Sequence, residues 1–413
     1  MNVVTFSTAV LFLAAGCLAY AQTPLPALIT EAENNNADIK TAELTWKAAT
    51  HIARQATTLP DPQFTVQQFS VGSPRPFAGI TNSDFAYIGF GASQELPYPG
   101  KLRLKGQAAD RQADTEHARA RALLAVIVGQ VKTAYFRLAY LQQTLTFLER
   151  SGVTLKQLGD SELARYRTGQ GSQADVLKAQ LEHTKLLREI TMHHAEMAEL
   201  QADLKRLLHR PQDSPDIVAE NLTPRTLTYN IQDLLSFARD RNPDVRTQTA
   251  TLKKQEAELQ SAERAGKPDF NIGYQFEETG SQYRNYYMLT FNVTVPRRRR
   301  VEAAIAEAAE LRNRAKEDLD AQFQQQLADV QKQYVAATSS VELMTEYREG
   351  LIPQAEAAFR AAMTAYQSNA QQLGSVLLAF NDLLNLQRDS AIALLDHEVA
   401  MARLETLTGV TLQ

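Results

Sequence analysis

The 413-residue chain holds a single cysteine, Cys17, within the N-terminal segment "VVTFSTAVLFLAAGCLAYAQ". Disulfides in the mature protein are therefore excluded. Strong net charge is absent too: 43 Lys and Arg stand against 47 Asp and Glu, a formal −4, so no nucleic-acid partner is expected. There is no nucleophile elbow, phosphate-binding loop or zinc-protease helix. His183, His193 and His194 come nearest to a metal site, but on a predicted coiled coil they read better as exposed helix histidines. No catalytic residue, metal ligand or cofactor is thus expected, and the chain does not read as an enzyme.

What is present is an ordered composition, 44 % hydrophobic and 22 % charged. The apolar run from about Val3 to Ala15, followed by small residues, reads as a secretory signal covering residues 1–21, although no Lys or Arg precedes it. Cleavage after Ala21, in "Ala19-Tyr20-Ala21", competes with lipidation of Cys17. The first fits better, because a lipobox usually has Leu where this chain has Ala14. Either route carries the protein beyond the inner membrane.

The sequence then repeats itself. "NNNADIKTAEL" near Asn36 matches "DRNPDVRTQTA" near Asn242, "PDPQF" meets "GKPDF", and "YRTGQGSQADVL" from Tyr166 meets "YQSNAQQLGSVL" from Tyr366. Two repeats, 22–215 and 233–413, are joined by a linker at 216–232. Each reads helix, strand, strand, helix, turn, helix. The first has strands within about 62–97 and a helical hairpin over about 101–209; the second has strands within about 268–296 and a hairpin over about 298–409.

Leu124, Ile127, Val131, Ala134, Leu138, Leu141, Leu145 and Leu148 recur by threes and fours, as do Leu327, Val330, Tyr334, Ala337, Val341 and Met344. Such stripes mark coiled-coil seams. A helix from Lys101 to Arg167 would extend roughly 100 Å, too far for a compact domain. Ala27 to Leu59 and Ser172 to His209, placed end to end, match that length, and Asp233 to Ala265 with Gln372 to Gly409 match a helix from Arg298 to Gln367. Pro353 should bend this last helix or break one of its hydrogen bonds. At the lower turn Gly169 suits a left-handed conformation, "Ser172-Gln-Ala-Asp175" suits a helix start, and Asn369 replaces Gly169 in the second repeat.

The four strand candidates, about 62–71, 84–97, 268–279 and 285–296, alternate apolar and polar residues, although Gln67-Gln68 interrupts the first. In "YYMLTFNVTVPRRRR" Tyr287, Leu289, Phe291, Val293 and Val295 take one side and Thr290, Asn292 and Thr294 the other. Strands of this length suit an outer-membrane barrel, but four cannot close one, so several subunits would have to pool theirs. The strand-helix junctions would be made by Pro97, Pro99 and Gly100, and by Pro296 and Arg297. The arginines after Pro296 would then lie near anionic head groups or line the mouth; a solvated charge run is the plain alternative.

The repeated plan, "NNNADI" and "RNPDV", "QELPYPGKLRLKG" after the second strand and "YRTGQGSQADVLKAQ" at the tip together resemble the TolC family of outer-membrane efflux proteins, over nearly all of residues 25–412. The resemblance implies an α+β membrane protein. Three copies would share a twelve-stranded outer-membrane β-barrel and an α-helical coiled-coil tunnel through the periplasm. It also implies a homotrimer in outer-membrane lipid, docked through a periplasmic adaptor (membrane fusion) protein onto an inner-membrane pump. Docking residues would be Arg167, Thr168, Gly169, Gly171, Ser172, Asn369 and Gln371. "LPYPGKLRLKG" is similar to the branch serving heavy-metal exporters of the resistance-nodulation-division type. Where drug-export relatives carry two acidic gate residues, this chain has Ser375 and Leu378, which leaves Asp175 and Asp382 as the gate acids. The expectation is a passive export duct, for metal cations through such a pump. A drug or type I protein-secretion duct, or a periplasmic scaffold that never inserts, is the alternative.

Overall fold

The computed structural model describes residues 22–70, 86–279 and 285–412. Cys17, the signal segment and the start of the second strand candidate, at 84 and 85, lie outside them. The chain divides into two units. One is formed by residues up to Asn34, Val131–Pro224 and Ser340–Val399; the other by Asn35–Gln130, Arg225–Ser339 and Ala400 onward.

The elements appear in the expected order, with two corrections. Each N-terminal helix is broken rather than continuous: α1 (Leu25–Asn35) gives way to α2 (Ala37–Thr57), and, after the first hairpin, α5 (Ile231–Arg241) to α6 (Pro243–Ala265). Asn36 and Asn242 stand at the breaks with ψ of 129° and 126°. Each side-chain carbonyl there accepts from two backbone amides of the following helix: Asp38 and Ile39 for Asn36, Asp244 and Val245 for Asn242. The cap satisfies amides that a new helix leaves open, and Pro243 further disfavours a helical Asn242.

The second correction concerns the long helices. The first, α3, runs unbroken from Lys101 to Arg167, followed by α4 (Gln173–Leu207). Its counterpart does not. Helix α7 (Arg298–Glu346) passes into a π-turn at Tyr347–Leu351 before α8 (Ile352–Gln367) and then α9 (Leu373–Thr408). Pro353 has no N–H and crowds the preceding turn, and the wider π-turn just ahead of it relieves that crowding. The seam suffers nearby. Ile127, Val131, Leu138, Leu141 and Leu148 are buried in the first stripe; in the second Val330 and Ala337 are buried, but Val341, nearer the π-turn, is exposed.

The four strands β1 (Gln63–Phe69), β2 (Tyr87–Leu96), β3 (Asp269–Thr279) and β4 (Asn285–Thr294) form one antiparallel sheet in the order β1-β2-β3-β4. The central pair joins the two repeats, Leu96 opposite Phe270 and Tyr87 opposite Thr279. Gln67-Gln68 does not break β1: pairing continues through Gln67 opposite Gly89 to Phe69 opposite Tyr87. What the two glutamines change is the face pattern. Gln68 takes an apolar-face position, and Phe69 falls on the polar face, stacked on Tyr87 at 5.7 Å.

All helical hairpins end in left-handed residues: Gly169 (φ 75°) and Asn369 (φ 60°) at the lower turns, His209 (φ 57°) and Gly409 (φ 65°) at the far ends. After α4, residues 211–224 are held on its own unit by side chains. The Gln201 amide donates to the Ile217 carbonyl and accepts from its N–H, at 2.7 and 2.9 Å, and the Tyr135 hydroxyl donates to Thr23 O and accepts from Glu220 N.

Candidate functional site

Two places concentrate specific geometry, one in each unit. In the first unit the lower turns are built alike. After α3, Gly169 N–H donates to Tyr166 O and Gln170 N–H to Arg165 O; after α8, Asn369 N–H donates to Tyr366 O and Ala370 N–H to Ala365 O. Both are Schellman closures, which need a residue at positive φ. Nothing lies within 4 Å of where a Gly169 side chain would point. Ser172 caps α4 by accepting from Asp175 N–H at 3.0 Å, and its hydroxyl donates to the Asp175 carboxylate at 2.7 Å.

Arg167, Thr168, Gly169, Ser172, Asn369 and Gln371, named from the sequence as docking residues, are all exposed here, and Gly171 is half-buried. Of the gate candidates, Asp175 is half-buried beside Lys178 at 3.5 Å. Ser375, Leu378 and Asp382 are exposed and, spaced by three and four along α9, share one stripe. Leu378 is 65 % exposed, more than an apolar side chain has reason to be in a finished interior.

Sequence reasoning missed the buried polar cluster above these turns. Glu162 is 2 % exposed. Its Oε1 lies 3.9 Å from Arg165 Nε, too far for a hydrogen bond, and neither atom nor the Tyr366 hydroxyl has a partner among the described residues. Arg165 instead donates to the Asn369 side chain at 2.6 Å and lies over the Tyr366 ring, 5.0 Å from its centre. Burial raises the Glu162 carboxyl above its ordinary value; Arg165 pulls it back in part, and Asp175 adds to the rise. Tyr366 also belongs to an apolar core with Leu148, Leu155, Leu158, Leu186, Leu373, Leu377 and Phe380. Asn381 to Glu182 and Arg388 to Glu189 add polar links between α9 and α4. The one available signal was that Glu162 and Arg165 stand a single turn apart beside a small-residue turn.

The second unit holds the sheet and its junctions. Gly100 (φ 92°) follows Pro97 and Pro99 and starts α3. Lys101, nearly buried, reaches Asp269 at 2.7 Å; the same carboxylate accepts from Tyr98 N–H at 2.9 Å. Arg264 donates to Pro99 O and covers the Tyr98 ring. At the other junction Pro296 ends the ladder, Arg297 O accepts from Arg300 and Val301 N–H, and α7 begins without glycine. The sheet itself is two-sided. Phe64, Val66, Phe90, Ile272, Tyr274, Leu289, Phe291 and Val293 are exposed on one face. The other carries Thr65, Gln67, Gln275, Thr290 and Asn292, with Glu277 accepting from Gln67 and Gln275. Gly89 lies between these two amides, and a side chain there would meet both. Among the described residues no group of three His, Cys, Asp or Glu could hold a metal ion.

Comparison with known proteins gives this geometry its context. Residues 28–208 match the family model "Outer membrane efflux protein". Pyoverdine export outer membrane protein OpmQ of Pseudomonas putida is 24 % identical over 398 residues, 90 % of this chain and 83 % of that one. The solved channel OprN shares the fold at a TM-score of 0.80 with 16 % identity, covering 93 % of this chain and 89 % of its own. VceC from Vibrio cholerae matches at 0.78 with 18 % identity, covering 94 % and 97 %, and CusC at 0.78 with 18 %, covering 94 % and 92 %. The chain thus has the α+β fold of TolC-like outer-membrane channels.

Proposed function

We propose, taking this chain as an outer membrane efflux protein, that three copies pool their strands into one barrel and act as the passive outer-membrane duct of a tripartite efflux system. The observation that carries the reading is the sheet. Its outer strands β1 and β4 each pair on one side only, and one face is apolar and exposed while the other is polar. Open edges are not tolerated in lipid, so the sheet must be completed by further copies; twelve strands close, with the apolar face in lipid and Thr65, Gln67, Glu277 and Asn292 toward water. Mass measurement or crosslinking of the detergent-extracted protein should give a heat-modifiable trimer. A stable monomer would sink the barrel, and with it the duct.

At the lower end, Arg167 to Ser172 with Asn369 and Gln371 form the docking edge for a periplasmic adaptor that connects to an inner-membrane pump. Asp175 and Asp382 supply carboxylates, and Leu378 the apolar narrowing, of a mouth completed by three copies. The finer reading of the cargo, transition-metal cations through a resistance-nodulation-division pump, is supported by "QELPYPGKLRLKG" alone. Deleting the gene should then sensitise cells to transition metals more than to dyes and detergents; the reverse pattern removes the metal assignment.

A further inference from the structure

The arginine run Arg297–Arg300 is not accounted for by conduction. All four side chains are exposed, and among the described residues only Arg298 has an ion-pair partner, Glu302 at 2.7 Å. Neighbouring junctions add exposed Arg103, Lys105 and Lys267. The exposed carboxylates near these junctions are fewer, and one of them, Glu95, falls on the polar face of the sheet by its register opposite Asn271.

Local energetics disfavour this placement. Helices α3 and α7 begin at the junctions with cations and with no acid in the first turn. The open amides of a helix start already carry partial positive charge, so every cation there opposes the helix dipole and repels its neighbours. At α3 the cation is offset from within, Lys101 by Asp269, and at α7 Glu302 offsets Arg298, so among the described residues Arg297, Arg299 and Arg300 are the cations there without an internal ion-pair partner.

Depth identifies an external anion for them. The exposed apolar face ends at the junctions in an aromatic edge, with Phe270 stacked on Phe291 at 5.7 Å and Phe64 81 % exposed. Aromatic girdles mark the level where hydrocarbon meets head groups. Arg297 stands three residues past Thr294, the end of β4, and Arg298 to Arg300 rise only about 3 Å along the first turn of α7, so the four arginines lie close to one level. One head-group layer is roughly 5–7 Å deep. Successive helix residues are turned by about 100°, so Arg298, Arg299 and Arg300 span much of the circumference and cannot all face a lumen.

We propose that the basic collar around Arg297–Arg300 binds the phosphates of anionic phospholipids in the periplasmic leaflet and so fixes the depth of the barrel. The proposal rests on the inserted trimer. The test uses the full-length protein in phosphatidylcholine bilayers containing a minority of phosphatidylglycerol, with boundary-lipid selectivity read by brominated-lipid quenching or by lipid retained in native mass spectrometry. The wild type should enrich phosphatidylglycerol, more weakly as salt rises and without competition from inorganic phosphate. Electrostatic attraction near an anionic surface corresponds to about fivefold per basic side chain. Substituting Arg297→Gln, Arg299→Gln and Arg300→Gln together should therefore cut the enrichment at least tenfold while trimer and conductance persist, and the three Lys variants should keep most of it. Unchanged enrichment in an inserted Gln variant overturns the proposal, as does a Gln variant that alters only ion selectivity, which would assign the arginines to the mouth. Failure of the wild type to insert overturns the barrel itself and is seen before any lipid is measured.

Discussion

At equivalent positions above and below the two lower turns, the first repeat places Glu162, Arg165, Asp175 and Lys178 where the second places Ala362, Ala365, Ser375 and Leu378. The backbone devices are kept: a buried or half-exposed tyrosine at 166 and 366, a left-handed residue at 169 and 369, and the same closing hydrogen bonds. Side-chain chemistry has been divided instead. Charge went to one copy and apolar surface to the other. A hairpin duplicated in backbone is thus not duplicated in its side-chain surface, because geometry is constrained by hydrogen bonding while the faces are free to differ.

The comparison can be broken first in the core. Leu155 and Leu158 are buried in the first repeat, where the second has Ala355 and Ala358. Leu155→Ala makes the copies alike at that level and should cost about 2–5 kcal/mol, the range for a buried leucine deletion. Hydrogen exchange should locate the loss in residues 148–190 and 359–384; protection unchanged there would mean that the packed cluster does not hold the hairpins.

Next comes the turn. Asn369→Val places a β-branched residue at φ 60° and removes the acceptor for Arg165. Its expected cost is about 1–3 kcal/mol. Asn369→Gly keeps the backbone and should cost less than half as much by denaturant unfolding, a gap that isolates strain from the lost hydrogen bond.

Glu162→Gln sharpens the charge contrast. Because burial raises the folded carboxyl above its unfolded value, protonation favours the folded tip: this contribution is fully present below the ordinary glutamate value and is lost as pH rises through the raised folded one. The wild-type tip should therefore tighten on acidification through that window. Glu162→Gln should be more stable than wild type at neutral pH and lose the pH dependence, read by limited proteolysis at the lower turns. A variant that keeps the same pH profile assigns it to another group.

The smallest effect is expected at the mouth. Three copies of Asp175 and Asp382 would attract trivalent cations only weakly compared with closely spaced acid rings, since Ser375 and Leu378 carry no charge. Single channels should show weak block from the periplasmic side, with Asp175→Asn removing most of it; tight block surviving Asp175→Asn and Asp382→Asn would place the constriction elsewhere.

Much of this architecture was legible because it is periodic. Apolar spacing located α3 to the residue, and alternation located the strands to within a few residues of their ends. The breaks at Asn36 and Asn242 were harder, since amphipathic spacing continues across them and only the side-chain caps show the chain turning. The π-turn was half legible: Pro353 announced a fault, but its width depends on how the turn relaxes. Glu162 and Arg165 were hidden for another reason. On a helix surface such residues are usually solvated, and their burial depends on Tyr366 and Asn369 arriving from the other repeat.

The ladder between β2 and β3 carries a consequence for assembly in time. Between Leu96 and Phe270 the chain runs through α3, α4, α5 and α6, so these partners meet only after most of the polypeptide is available. The helical hairpins close over short turns and can form as they emerge, whereas a contact so distant in sequence forms late. Until then β1 and β2 remain a two-stranded ribbon with Phe64, Val66 and Phe90 uncovered. The first repeat is therefore open to aggregation until the second repeat arrives and ends that vulnerable interval.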